Sequence, residues 1–121
     1  MKFALIALLL APSFAQAASI KCESGNLGDD NYFSVTINQT RKAAVEFGFH
    51  ESSLSADASK IVKSGNVIAI VNKKLTGWAE GDRYESLVSA LLVYSAKEKK
   101  LNVTLAQEGE VVQAGEVLSC R

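Results

Sequence analysis

The chain has two cysteines, Cys22 and Cys120, one near each end. If they bridge, the fold must bring its two ends together. A bridge needs an oxidising compartment, and the start of the chain points to one. After Lys2 comes an apolar run from Phe3 to Ala11, broken by Pro12 and Ser13, and then Ala15-Gln16-Ala17 places small residues where a signal peptidase reads. This is the layout of a secretory signal peptide, residues 1–17, cleaved after Ala17. A bilayer-spanning helix would take about 20 apolar residues, more than this run holds. The residues before Cys22 are "ASIK" rather than a Leu-Ala-Gly pattern, so no lipid anchor is expected. The start with a single lysine resembles bacterial export signals and places the protein in the periplasm or outside the cell.

Residues 18–121 then form a single domain. Two cysteines in an exported chain allow a single intramolecular disulfide, Cys22–Cys120. Their spacing is far too wide for a redox CxxC pair. Closing a loop of about 100 residues removes enough freedom from the unfolded chain to contribute about 4–5 kcal/mol. The last strand is therefore expected beside the first.

Between the cysteines, period-two alternation dominates. Phe33, Val35 and Ile37 alternate in "YFSVTI", Ala43, Val45, Phe47 and Phe49 in "AAVEFGF", and Leu101, Val103 and Leu105 in "LNVTL". Such alternation marks half-buried antiparallel strands. "NQT", "SGN" and "QEGE" are short connections suited to hairpins, and Gly115 in the closing strand suggests a bulge. "ESGNLGDDN" and "HESSLSADAS" read as loops. The stretch 83–96 is ambiguous. Asp82 and Glu85 could cap a helix, but Val88, Val93, Tyr94 and the surrounding strands favour β structure. "VIAIV" and "ALLVY" are apolar on both faces, which suits central strands or a face covered by another element. The expected fold is all-β: a small antiparallel barrel or sandwich of about eight short strands, with its terminal strands joined by the disulfide.

Charge and composition narrow the function classes. Of 13 Lys and Arg one, Lys2, belongs to the leader, against 13 Asp and Glu, so the exported chain is nearly neutral. That balance offers no footprint for nucleic acid, and no later apolar run is long enough to insert in a membrane. The lone histidine, His50, and two bridged cysteines make no zinc site, and the acidic "GDDN" lacks calcium-loop spacing. His50 beside Glu51, Ser52 and Ser53 does not align a catalytic triad. No catalytic residue, metal or cofactor is expected.

"TGWAEGDRYE" is the most distinctive cluster. Trp78, Arg83 and Tyr84 sit around Gly77 and Gly81, and these three residue types are common at binding hot spots. Trp78 either packs beneath the sheet as a core aromatic or, with Arg83 and Tyr84, forms a binding patch. The ends "SIKCESG" and "VLSCR", with a tryptophan in the later half, resemble the layout of small exported lysozyme-inhibitor barrels. The resemblance covers the termini only. The serine- and glycine-rich motif ending in tyrosine is missing, "VKSGNV" lacking the tyrosine, and no residue role is taken from it. The expected function is a non-catalytic binding module for an extracytoplasmic protein or a surface glycan. The alternative is a carrier of a small apolar ligand inside a barrel.

Overall fold

The computed structural model describes residues 19–26, 28–39 and 41–121; the expected leader lies outside them. Among the described residues nine strands form one antiparallel sheet. In chain order they are β1 (Ser19–Ser24), β2 (Phe33–Asn38), β3 (Val45–Phe49), β4 (Ser52–Ala56), β5 (Val62–Ser64), β6 (Val67–Ala79), β7 (Asp82–Ser95), β8 (Lys100–Gln107) and β9 (Glu110–Cys120). Their order is β4-β3-β2-β1-β9-β8-β7-β6-β5, and β4 also pairs with β6. That extra pairing closes an eight-stranded barrel. β4 and β5 flank opposite halves of β6, on Thr76–Ala79 and Val67–Ala69 respectively. They amount to one barrel strand, broken by a 3-10 turn at Ala58–Lys60.

The strands form where alternation foretells them. Phe33, Val35 and Ile37 point inward, as do Leu101, Val103 and Leu105, each at most 4% exposed. Phe33 stacks on Phe47 with ring centroids 6.5 Å apart. The turns follow from residue chemistry. Glu80-Gly81 and Glu108-Gly109 both take positive φ at both positions, the two-residue geometry that matches strand twist. Gly115, at φ 62°, marks a bulge opposite Thr104, whose hydroxyl accepts from the Gly115 N–H.

Several expectations need correction. "HESSLSADAS" is not all loop: β4 runs through its serines with Leu54 and Ala56 fully buried. The stretch 83–96 is strand up to Ser95, as favoured over a helix, but it belongs to one unbroken 14-residue β7, longer than the short strands expected. β6 and β9 are also long, at 13 and 11 residues. The β2–β3 connection is wider than "NQT", because β3 begins only at Val45, and Ala44 rather than Ala43 is the buried residue before it.

Cys22 and Cys120 are bonded, their Cα atoms 3.9 Å apart. They face each other in the β1–β9 ladder, which otherwise holds only the Glu23–Ser119 pair. Lys21 and Arg121 extend it by exchanging backbone hydrogen bonds of 3.3 and 3.0 Å. This is the shortest seam of the ring, and an Arg121–Glu23 ion pair at 2.7 Å adds to it. The covalent bond thus sits where the ladder is weakest. Side chains fill the barrel: Phe47, Leu54, Ile68, Leu75, Leu92 and Leu118 are all at most 1% exposed. Eight strands enclose just enough width for such packing.

The barrel has two ends. The clasp end carries the disulfide, the Gly65-Asn66 turn and the β7–β8 turn. The tryptophan end carries the β6–β7 and β8–β9 turns and the loop after β1.

Candidate binding site

The β6–β7 hairpin positions the candidate residues. Its two-residue turn puts Trp78 directly opposite Arg83, and Gly77 opposite Tyr84. Successive residues of a strand face opposite sides, so the two pairs part company. Trp78 and Arg83 point out of the barrel, with Trp78 52% exposed. Tyr84 turns inward, packs against the core and donates a 3.2 Å hydrogen bond from its hydroxyl to the Ser53 carbonyl. The structure therefore brings two of the three residues together on the outer wall and gives the third a structural place.

The wall beside the indole is low and hydroxylic. Ser53 of β4 pairs with Trp78, Gly48 of β3 with Ser53, and Ser34 of β2 with Gly48. Gly48 leaves no height there, since a Cβ would fall 2.5 Å from the Ser34 hydroxyl. A second row, Glu85, Thr76, Ser55 and Glu46, runs alongside one step nearer the clasp end. Adjacent strands lie about 4.8 Å apart, so Arg83 and Ser53 flank Trp78 on either side. The arrangement offers an aromatic face, a guanidinium with its donors and a shallow shelf of hydroxyls.

Other candidates are less well assembled. His50 Nε2 lies 3.8 Å from both an Asp30 and a Glu51 carboxylate oxygen. Its Nδ1 is buried without a hydrogen-bond partner among the described residues. Among the described residues no serine hydroxyl hydrogen-bonds to the ring, so no nucleophile–base pair is formed there by them. Among the described residues no group of three His, Cys, Asp or Glu side chains is placed to hold a metal ion.

A cavity of about 310 Å³ opens at the clasp end, where β4 breaks into β5. Ile37, Ala44, Ile61 and Ile68 give it apolar walls, and Arg41 and Lys63 line it as well. Sequence alternation had no means of finding it, because it arises from a break in one strand. The only local sign is the cap of that break: Asp57 accepts hydrogen bonds from the Ser59 N–H and hydroxyl. These bonds hold the exposed Asp57 carboxyl below the usual carboxylate range.

Fold and site define a closed antiparallel eight-stranded barrel, clasped at its terminal strands, with an outward aromatic–cation pair on one hairpin. No helix among the described residues is long and apolar enough to cross a membrane. No family model, curated protein or solved structure matches the chain.

Proposed function

We propose that the chain is a non-catalytic binding module, exported to the periplasm or beyond, that engages an extracytoplasmic protein or surface glycan through Trp78 and Arg83. The observation that carries this reading is the half-exposed indole set beside a guanidinium on a rigid wall. An indole left in water has apolar area to bury and an N–H to satisfy, and a partner surface or a sugar ring can do both. The leader motif and the disulfide support export. The test is capture of partners from envelope extract and binding to a glycan array, with wild type compared against Trp78→Ala/Arg83→Ala. Loss of capture with an unchanged melting temperature supports the site. Equal recovery by both proteins overturns it.

The second reading, a carrier of a small apolar ligand, draws on the clasp-end cavity rather than on the packed interior. Its volume is about that of the smaller ligand pockets. Titration with a medium-chain fatty acid should then shift the NMR signals of Ile37, Ile61 and Ile68. Unmoved signals remove this reading.

A further inference from the structure

The doubly apolar segments are expected to have both faces covered. Inside the barrel they are, by the core. Outside, no described element covers them: Val67 and Ala69 of β6, Leu91 and Val93 of β7 and Val117 of β9 all lie on the outer wall. The register makes them contiguous. One row runs Val67, Val93, Asn102, Val117, and the next runs Val62, Ala69, Leu91, Thr104. Leu91 is 48% and Val62 68% exposed. Five strands at about 4.8 Å spacing, over the roughly 20 Å from Leu87 to Val93, make a footprint of about 400 Å². That footprint, which also takes in Asn102, Thr104 and Lys74, matches the size of a typical monomer's largest apolar patch, a feature that is often functional.

Charge says what fits it. The β7–β8 turn at the clasp end carries Lys97, Lys99 and Lys100 against Glu98 alone. Toward the tryptophan end, Glu80, Asp82, Glu85, Glu108 and Glu110 stand against Arg83, Lys73 and Lys74, so acid still outnumbers base there. The wall is thus basic at one end, apolar in the middle and acidic at the other. Such a surface is complementary to itself when turned end for end. Leu87 and Leu91, both exposed, lie two residues on either side of Ser89 near the middle of β7. A two-fold axis at Ser89 sets Leu87 of one copy against Leu91 of the other, and each basic turn against an acidic end.

We propose that this wall is the interface of a two-fold antiparallel homodimer centred on β7. It is separate from the Trp78–Arg83 reading: Leu91 lies eight residues, about 26 Å, along β7 from Arg83. An anionic bilayer would meet attraction at one end and repulsion at the other, whereas a second copy satisfies both. The wall is convex, so β6, β7 and β8 of each copy carry the contact. The apolar footprint alone falls short of the roughly 800 Å² per partner of a standard stable complex, so the dimer is reversible.

Sedimentation equilibrium of the purified protein tests this, since the variants change exposed positions and melting temperature checks their folding. Wild type should show a monomer–dimer equilibrium that weakens with added salt. Leu91→Lys should raise its dissociation constant at least about tenfold, as loss of a central anchor does. Lys97→Glu/Lys100→Glu alone, and Glu80→Lys/Glu110→Lys alone, should each be monomeric, while an equimolar mixture of the two should dimerise. A wild type that stays monomeric at its highest soluble concentration overturns the proposal. So does a mixture that fails to pair, or a monomer that instead binds lipid vesicles in a Leu91-dependent way.

Discussion

The ring of Tyr84 lies over the bare Cα of Gly77, its cross-strand partner. A Cβ at Gly77 would fall 2.5 Å from the tyrosine Cζ and 2.6 Å from the Ser53 carbonyl oxygen. The two residues therefore fit as a pair, and the contact ties the β6–β7 hairpin to β4 at the point where the barrel closes.

Gly77→Ala is accordingly expected to destabilise the protein by about 1–3 kcal/mol, the usual cost of overpacking. Tyr84→Phe keeps the ring and loses only the hydrogen bond to Ser53, at about 0.5–1.5 kcal/mol. Urea denaturation checks both. An alanine variant as stable as wild type would mean that the ring can move aside freely.

Leu54 is fully buried on β4, the strand that joins β3 to β6. Leu54→Ala should cost about 2–5 kcal/mol, as large-to-small core changes do. Ser55→Ala, on the outer face of the same strand, should stay within about 0.5 kcal/mol. Thermal unfolding of the pair separates barrel closure from surface chemistry.

Reduction should open the seam that the disulfide spans. Few ladder bonds remain between β1 and β9 once the sulfurs part. Cys22→Ser/Cys120→Ser is expected to lose about 2–5 kcal/mol and to melt roughly 10 °C lower or more. Hydrogen exchange should quicken first in β1. Uniform quickening across the sheet would show the barrel unfolding as a whole rather than at its seam.

Asp57 gives one acid-range expectation. Its hydrogen bonds from Ser59 lower its pKa in the folded chain. The stabilisation is thus fully present above the unfolded value of about 3.9 and fades as pH falls through the lower folded value. Asp57→Asn can still cap the 3-10 turn but cannot titrate. It should lose less stability than wild type on acidification below about pH 4, as read from melting temperature against pH.

Trp78 illustrates how far a sequence can lead. Residue type marked it as either a core aromatic or a binding residue, and only the pairing register chose the outside. The same register separated Tyr84 from it, since neighbours on a strand cannot share a face. β4 is the converse case. Its serines hid a strand whose inward residues, Leu54 and Ala56, are too few to make an alternation stand out, yet it closes the ring.

The sequence alone determined the all-β class, the inward faces of β2 and β8, the turns at Gly65 and Gly109 and the single possible disulfide. Each of these rests on local chemistry: alternation, turn residues and cysteine count. The tertiary structure decided that the sheet closes as a barrel through β4, that β4 and β5 split to leave a cavity, and that no described element of the chain covers the second apolar face of β6 and β7. Those outcomes depend on which strands meet, and pairing between distant strands is set by how the whole ring fits together rather than by any one segment.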